Sequence, residues 1–245
     1  MKTAVVTGGS RGIGRAISLE LAASGARVVL TCQRDLTRAE ATAEEIRRAG
    51  GQATALVMDV LKPDDVKAMA ERVGAEFGGA DILVNTAGVI KDALFPFMKE
   101  EDWDYVLDVD LKGAFRVTKA LIRGMLHKSS GRIVNVVSVS GISGHAGQAN
   151  YSAAKGGLIA FTKALARETA RYAVNVNCVC PGPTETPLLA AVPDKVQDAL
   201  KKAIPMRRFG QPSEVADAVL FFASDRARYV TGQVLSVSGG LTMAG

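Results

Sequence analysis

Short apolar runs alternate with longer amphipathic segments along all 245 residues of the chain. Seven of these runs have the length and the β-branched content of buried strands. They are TAVV, ARVVLTC, ATALVMDV, DILVNTAG, RIVNVVS, VNVNCVCPG and GQVLSVSG. Because parallel strands need helical crossovers, the order predicts an α/β fold in which one doubly wound, seven-stranded parallel sheet has helices on both faces. Functional residues are then expected beyond the carboxyl ends of the strands.

The first strand runs into a glycine-rich turn, TGGSRGIG at residues 7–14, and a helical segment follows at once. Strand, turn and helix N-terminus together form a phosphate cradle, because free backbone amides and the helix dipole point at the anion. Gly8, Gly12 and Gly14 follow the spacing TGxxxGxG rather than GxGxxG. In this context the turn predicts a Rossmann-type dinucleotide-binding domain, and with no repeat or linker that domain spans residues 1–245.

Tyr151 and Lys155 lie four residues apart in a helix-forming run, so one helical turn stacks the phenol and the ammonium on the same face. A positive charge there favours the phenolate and is expected to lower the Tyr pKa from about 10. Such an acid can protonate a carbonyl oxygen near neutral pH if a hydride reaches the carbon. Ser138 closes the RIVNVV run and can present its hydroxyl to the same oxygen.

Composition excludes several classes of protein. No charged leader and no apolar run near eighteen residues is present, so the chain is predicted to be neither secreted by a common signal nor membrane-spanning. The net charge of +5 is scattered among acids, which argues against a nucleic-acid partner. Cys32, Cys178 and Cys180 are an odd count that suits reduced thiols in a cytoplasmic protein, and the two histidines complete no metal-ligand spacing.

A family resemblance covers the whole chain. It is carried by TGGSRGIG at 7–14, Asp59 in MDV, NTAG at 85–88, Ser138, YSAAK at 151–155 and PGPTET at 181–186. In this order and spacing they resemble the classical short-chain dehydrogenase/reductase family, and within it the 3-oxoacyl-thioester reductases. The endings CPGPTETPLL and SVSGGLTMAG are also similar to dehydrogenases of ring-hydroxylated acyl-CoA thioesters.

The resemblance implies a role for each matching residue. Tyr151 would be the general acid/base, Lys155 would lower its pKa and hold the nicotinamide ribose, and Ser138 would orient the substrate oxygen. Ser140 is the alternative to Ser138, but it is two residues too close to Tyr151. The other implied cofactor-binding residues are Gly8, Ser10, Arg11, Gly12, Ile13, Gly14, Arg34, Asp59, Val60, Asn85, Ala87, Gly88, Pro181, Gly182, Thr184 and Thr186.

Some of these positions have a structural alternative. Asp59 would meet the adenine unless it caps a turn, and Asn85 would line the adenosine side unless it pairs with backbone. Thr184 and Thr186 would hold the carboxamide. No metal role is implied for any residue.

Two residues depart from the family pattern. Asp110 stands where an asparagine is usual, inside one long helix expected over residues 102–126, and NTAG replaces NNAG. An ionised aspartate accepts hydrogen bonds but donates none. The change is tolerable if Asp110 presents its backbone carbonyl to a relay water near Lys155, and activity should fall if the amide matters. The added negative charge would also raise the pKa of Lys155.

The cofactor preference is predicted from the tip of the second strand. An NAD-specific domain usually has a carboxylate there for the ribose 2′-hydroxyl, but this position falls on Cys32. Arg11 and Arg34 supply guanidinium groups that suit a 2′-phosphate. NADP(H) is therefore expected rather than NAD(H), although Asp35 could turn back to the ribose.

The expected function is hydride transfer between NADP(H) and a ketone or secondary alcohol, most closely a 3-oxoacyl thioester. Two alternatives stay open: an NAD-dependent hydroxyacyl-CoA dehydrogenase, and a non-catalytic nucleotide sensor. A substrate lid is expected over about residues 188–208, where Lys201, Lys202, Arg207 and Arg208 either meet thioester phosphates or form a solvated face.

Assembly can also be predicted. Gly156 and Gly157 lie inside the helix that contains Tyr151, where each should cost up to about 1 kcal/mol relative to Ala. They make sense if another backbone packs closely, within the subunit or across an interface. Family resemblance implies that the two long helices pair in a dimer, usually within a tetramer, so a homotetramer is expected.

Overall fold

The computed structural model describes residues 1–190 and 192–243, and only the backbone at Leu188. Seven parallel strands form one sheet in the order β3-β2-β1-β4-β5-β6-β7. The strands are β1 Thr3–Thr7, β2 Arg27–Cys32, β3 Gln52–Val57, β4 Ile82–Asn85, β5 Gly131–Val136, β6 Val174–Pro181 and β7 Val234–Val237. The predicted fold class is confirmed. Strand order reverses between β1 and β4, which is where doubly wound sheets open a ligand crevice.

Helices cover both faces of the sheet. They are α1 Gly12–Ala23, α2 Leu36–Arg48, α3 Pro63–Phe77, α4 Glu100–Leu107, α5 Gly113–Lys128, α6 Ser140–Ser143, α7 Ala149–Thr169, α8 Pro187–Ala190, α9 Asp194–Ala203 and α10 Pro212–Ala223. One buried cluster packs α1, α2 and α10 against the sheet, and a second packs α3, α5 and α7 on the other face. Every residue of β1 is buried, as expected for a strand covered on both sides.

The helix predicted over residues 102–126 is not continuous. It divides into α4 and α5, and a π-helical turn over Asp108–Lys112 joins them. The amide of Gly113 bonds to the carbonyl of Asp108, five residues back, so the turn holds one residue more than an α-helical turn. This wider turn leaves Asp110 only 1% exposed.

A buried polar network fixes the register beneath the functional edge. Asn85 of β4 and Asn135 of β5 are sheet partners, and the Nδ2 of Asn85 donates to the Oδ1 of Asn135 at 2.8 Å. The same Nδ2 lies 3.1 Å from the Oγ1 of Thr118, and the Nδ2 of Asn135 donates to the Oγ1 of Thr162 at 2.7 Å. A one-residue slip between β4 and β5 would break these bonds, so the network holds β4, β5, α5 and α7 together.

None of the described helices is both long enough and apolar enough to cross a bilayer.

Candidate active site

The carboxyl edge of the sheet brings the four predicted catalytic residues together. Ser138 follows β5, Tyr151 and Lys155 lie in the first turns of α7, and Asp110 enters from the π-helical turn. The Nζ of Lys155 lies 5.5 Å from the centre of the Tyr151 ring and 3.0 Å from the Oδ2 of Asp110. The predicted constellation is therefore present as a group of neighbouring side chains.

Lys155 and Asp110 form a buried ion pair whose side chains are 4% and 0% exposed. The Nζ also donates to the carbonyl of Val136 at 3.3 Å. Burial acts to lower the pKa of Lys155, but the Asp110 carboxylate and the Tyr151 side chain together outweigh it, so the pKa is raised and the amine stays charged. Burial raises the pKa of Asp110, while Lys155 and the Val89 amide oppose that rise.

The ion pair lies against the backbone after β4. The Oδ1 of Asp110 accepts from the Val89 amide at 2.8 Å. A Cβ at Gly88 would lie 2.8 Å from the Oδ2 of Asp110 and 3.3 Å from the Nζ of Lys155. A side chain at residue 88 would therefore push the charged pair apart, which gives the last glycine of NTAG a physical reason.

The predicted net lowering of the Tyr151 pKa is wrong for the free protein. Burial raises the pKa of Tyr151 above its ordinary value, and it outweighs the opposing charge of Lys155. The carboxylate of Asp110 adds to the rise, whereas a hydrogen bond with Ser138 acts against it. Sequence spacing identified the ammonium, but it could not show the burial or the adjacent negative charge.

The two candidate serines have different surroundings. The Oγ of Ser138 accepts from the amide of Ser140 at 3.2 Å, which leaves its hydrogen for another acceptor. The Oγ of Ser140 donates to the Oε1 of Gln148 at 2.8 Å, and the Nε2 of Gln148 donates to the Oδ2 of Asp92 at 3.0 Å. Since Ser140 is committed to Gln148, Ser138 is the serine whose hydroxyl can meet a substrate.

The glycine-rich turn leaves the start of α1 open. Arg11 is the N-cap residue, and its side chain makes no capping hydrogen bond, so backbone amides in the first turn remain for an anion. A Cβ at Gly14 would lie 2.2 Å from the carbonyl oxygen of Gly8, so α1 rests directly on the turn. Ser10 lies in the turn and Ile13 in the first turn of the helix. These features fit the phosphates of a dinucleotide.

The ends of β1 and β4 are tied together beside this turn. The Oγ1 of Thr7 accepts from the amides of Thr86 and Ala87 at 3.0 and 3.1 Å. Thr86 is the residue that departs from NNAG, and its own hydroxyl is buried with no hydrogen-bond partner among the described residues. The predicted lining residues Ala87 and Gly88 thus lie close to the phosphate cradle.

Two predicted cofactor residues have partners within the chain. Asp59 accepts from the amide of Leu61 at 2.9 Å through Oδ1 and from the Nε2 of Gln33 at 3.0 Å through Oδ2, so it caps the turn after β3. Asn85 is turned into the core network and is 4% exposed. Only its backbone is placed to line the adenosine side. Val60 is 7% exposed and packs in the second core cluster.

The residues around the end of β2 indicate how a ribose 2′-phosphate could be recognised. Asp35 caps α2, since its carboxylate accepts from the Arg38 amide at 2.9 Å and lies 3.3 Å from the Nε of Arg38. It would have to give up both contacts to reach a ribose. Arg11 and Arg34 are exposed on this side, as predicted residues for a 2′-phosphate.

The loop after β6 faces the glycine-rich turn. A Cβ at Gly12 would lie 3.4 Å from the Cγ2 of Thr186. The Oγ1 of Thr184 donates to the carbonyl of Gly182 at 2.9 Å, and Gly182 bonds in turn to Val237 of β7. The segment that begins at Pro181 therefore encloses the crevice from the side opposite β2.

The predicted lid contains α8 and α9, while Ala191 and the side chain of Leu188 lie outside the described residues. Three of the four basic side chains predicted to meet thioester phosphates already contact other groups of the chain. Arg208 lies 2.6 Å from the carboxylate of Glu214, the Arg207 guanidinium donates to the carbonyl of Lys202, and Lys201 lies 5.0 Å from the centre of the Phe209 ring. Arg208, together with the Gln211 amide, lowers the pKa of Glu214 to about 2. Of the four, only the Lys202 ammonium makes no such contact among the described residues.

Comparison with known proteins gives the family. The profile of the family described as enoyl-(acyl carrier protein) reductase matches residues 8–242. The chain is 44% identical to the 3-oxoacyl-(acyl-carrier-protein) reductase FabG of Staphylococcus epidermidis over 242 residues, which cover 99% of each chain. The reductases of the same name from Vibrio cholerae and Escherichia coli are 45% and 44% identical, and the alignments cover 99% of this chain and 98% of theirs.

The chain belongs to the short-chain dehydrogenase/reductase family. The resemblance inferred from its motifs is thereby confirmed.

Sequence reasoning missed Asn150, a residue of this short-chain dehydrogenase/reductase that positions Tyr151. Asn150 is 0% exposed, and its Oδ1 accepts from the Tyr151 amide at 2.8 Å. Its Nδ2 donates to the carbonyl of Lys91 at 2.9 Å, which ties the start of α7 to the segment after β4. An amide residue just before the Tyr, at a helix start, was the available signal.

Among the described residues, no three His, Cys, Asp or Glu side chains are grouped as metal ligands would be.

Gly14→Ala should damage both the fold and nucleotide binding, because its Cβ would overlap the Gly8 carbonyl. We expect a loss of about 3 kcal/mol in the free energy of unfolding, measured with urea, and no measurable binding of a dinucleotide by calorimetry. Gly74→Ala in α3 is the control, since nothing lies within 4 Å of its new methyl group and helix propensity should gain about 1 kcal/mol. Normal stability and binding in Gly14→Ala would contradict the phosphate cradle.

Proposed function

We propose that this chain reduces the ketone of 3-oxoacyl thioesters to a secondary alcohol with NADPH. The observation that carries the proposal is the grouping of Ser138, Tyr151 and Lys155 at the carboxyl edge of the sheet, with the Lys155 ammonium 5.5 Å from the centre of the Tyr151 ring. A phenol is protonated at neutral pH, so this hydroxyl can give a proton to a ketone oxygen while the ammonium stabilises the phenolate. The full-length similarity to reductases named for 3-oxoacyl-(acyl-carrier-protein) substrates supports the substrate class.

Three parts of the site would hold the dinucleotide. The open first turn of α1 would take the pyrophosphate, Lys155 has an N–H left for the ribose, and the Thr184–Thr186 segment would hold the carboxamide. When bound, the reduced nicotinamide would supply a hydride to the carbonyl carbon.

The chain's own groups would handle the oxygen. Ser138 donates its hydroxyl to the carbonyl oxygen and fixes its orientation. As negative charge develops there, Tyr151 transfers its proton to that oxygen. The Lys155 ammonium then stabilises the phenolate that remains, because it is the nearest positive charge.

The family description names enoyl reduction, whereas the relatives are named for 3-oxoacyl reduction. Two hydroxyl groups that converge on one oxygen suit a product in which that oxygen keeps a proton, as in a secondary alcohol. Consumption of NADPH with an acetoacetyl thioester but not with a crotonyl thioester would support the proposal. The reverse result would replace it with enoyl reduction, and no turnover with either thioester or with a panel of ketones would favour the nucleotide sensor.

NADPH rather than NADH is supported by Arg11 and Arg34, and by the commitment of Asp35 to capping α2. The alternative of an NAD-dependent hydroxyacyl-CoA dehydrogenase would need another acceptor for the ribose hydroxyl. For the lid, we propose that α8 and α9 cover the acyl chain, with Lys202 as the basic residue that remains for a thioester phosphate.

We also propose a homotetramer in the cytoplasm. The exposed Phe115 of α5 packs edge-on against Phe161 of α7, and apolar side chains at this position suit pairing between copies. Gly156 and Gly157 add no support, because their close neighbours, the Gly141 carbonyl and Leu111, lie in the same chain. The three cysteines are buried free thiols, which suits a reducing compartment.

Tyr151→Phe should lower kcat for ketone reduction by roughly 10²–10⁴-fold, because it removes the proton donor and little volume. Dinucleotide affinity should be retained, and Tyr229→Phe, at a fully exposed position, is the control. Steady-state kinetics with an acetoacetyl thioester measures the effect. A loss of only a few-fold would show that another group supplies the proton.

Arg11→Ala combined with Arg34→Ala should remove the preference for NADPH. Each guanidinium is expected to make a charge-assisted bond to the 2′-phosphate, so kcat/KM with NADPH should fall at least about tenfold while that with NADH changes little. Arg48→Ala, at an exposed position near the end of α2, is the control. Equal use of both cofactors by the unaltered protein would mean that the arginines do not read the ribose.

Light scattering after size exclusion should give a mass of four chains. Phe115→Lys should lower that mass, since it places a charge in the proposed interface. Arg48→Ala, at an exposed residue near the end of α2, serves as the comparison and should leave the mass unchanged. A single-chain mass for the unaltered protein would refute the tetramer.

A further inference from the structure

Two serines lie two residues apart after β5, and each has one hydroxyl hydrogen to donate. The Oγ of Ser138 accepts from the amide of Ser140 at 3.2 Å, so its hydrogen stays available. The hydroxyl of Ser140 gives its hydrogen to the Oε1 of Gln148 at 2.8 Å. An acceptor at this end of the Gln148 amide is therefore what leaves Ser138 as the serine that can donate to a ketone oxygen.

The orientation of the Gln148 amide depends on Asp92. The Nε2 of Gln148 lies 3.0 Å from the Oδ2 of Asp92 and 3.2 Å from the Oδ1. An ionised carboxylate only accepts hydrogen bonds, so the NH₂ end of the amide has to face it. The oxygen end then faces Ser140, whose hydroxyl has to donate. Without the carboxylate the amide could turn over, and Ser140 would accept from the NH₂ group and keep its own hydrogen.

Two contacts hold the segment after β4 against the start of α7. The amide of Ala93 donates to the carbonyl of Gly147 at 2.9 Å. The Nδ2 of Asn150, which is 0% exposed, donates to the carbonyl of Lys91 at 2.9 Å. In both segments these contacts flank the carboxylate and the amide. The backbone therefore places the two side chains next to each other.

We propose that Asp92 is a positioning residue that, through the amide of Gln148, keeps the Ser140 hydroxyl bonded within the chain and leaves Ser138 to bind the ketone oxygen. Asp92 and Gln148 lie outside the motifs that carry the family resemblance. Asp92 acts through two successive hydrogen bonds, so it needs no contact with the substrate. The proposal rests on the proposed function, because its consequence is measured in ketone reduction.

The test measures how strongly kcat with an acetoacetyl thioester and NADPH depends on Ser138. In the unaltered protein Ser138→Ala should lower kcat about 100-fold, as expected for the loss of one donor to a developing negative charge on oxygen. In the Asp92→Asn background the Gln148 amide can adopt either orientation, and Ser140 regains a hydrogen to donate. There Ser138→Ala should cost only about tenfold, and adding Ser140→Ala should return the cost to about 100-fold.

Asp102→Asn is the matched control. It removes the same charge from a nearby carboxylate that pairs with Lys91 rather than with a glutamine. In this background Ser138→Ala should still cost about 100-fold, because the Gln148 amide keeps its orientation.

An exchanged pair, Asp92→Asn combined with Gln148→Glu, should restore the original dependence. The carboxylate introduced at residue 148 accepts both from the new amide at residue 92 and from the Ser140 hydroxyl. Ser138→Ala should then again cost about 100-fold. A residue that only supports the fold would not lose the dependence on Ser138 in one variant and regain it in the exchanged pair.

The outcomes separate the two proposals. If the unaltered protein reduces no ketone, the proposed function fails and the role of Asp92 falls with it. If ketones are reduced, the role of Asp92 alone is overturned by any of three results: a cost of Ser138→Ala that is equal in the unaltered protein and in Asp92→Asn, an equal decrease of that cost in Asp102→Asn, or no recovery in the exchanged pair.

Gln148→Leu decides the case in which Asp92→Asn does not fold. It removes the acceptor of the Ser140 hydroxyl directly, so Ser138→Ala should again cost only about tenfold in this background. Urea unfolding of each variant checks that the proteins compared are folded. An undiminished cost in Gln148→Leu, or a failure of both variants to unfold cooperatively, would overturn the proposal in favour of a structural role for the Asp92–Gln148 contact.

Discussion

A lysine ammonium buried at the edge of the sheet needs a fixed counter-charge, and the local structure of the site follows from that need. Removing two ions from water costs several kcal/mol for each, and their attraction compensates only when the geometry is good and the remaining polar atoms are satisfied. Here the Nζ of Lys155 lies 3.0 Å from the Oδ2 of Asp110 without hydrogen-bond geometry, and the hydrogen bonds of the pair are those with the Val89 amide and the Val136 carbonyl. The π-helical turn and Gly88 are the backbone adjustments that permit it.

The sheet makes such a pair reachable from distant parts of the chain. Since all seven strands are parallel, every loop at their carboxyl ends lies at the same edge, where residues from β1, β4, β5 and β6 meet. The Asn85–Asn135 contact keeps β4 and β5 in register directly beneath this edge. Asn85, which family resemblance assigns to the cofactor, thus also has a structural task, because it fixes the relative position of two strands that carry the site.

Features with a fixed local period could be predicted from the sequence. Strands follow from short apolar runs, the phosphate cradle from a glycine turn between strand and helix, and the Tyr151–Lys155 pair from helical spacing. The π-helical turn could not be predicted from the sequence. No residue type is specific for a backbone hydrogen bond between residues five apart in place of four apart. The contacts of Asp59 with Gln33 and of Arg208 with Glu214 depend on which donors and acceptors lie nearby in space, and the sequence does not show these neighbours.

The direction of the Tyr151 pKa shift shows most clearly why a motif alone is insufficient. Spacing places an ammonium near the phenol, and that charge alone would favour the phenolate. The outcome depends on the net charge within a few ångströms and on the loss of water around the hydroxyl, and both depend on the folded structure. A Tyr–Lys pair at this spacing is therefore compatible with an acid or with a base. In this chain the burial of Tyr151 and the carboxylate of Asp110 raise the pKa of the phenol, and together they outweigh the opposing charge of Lys155.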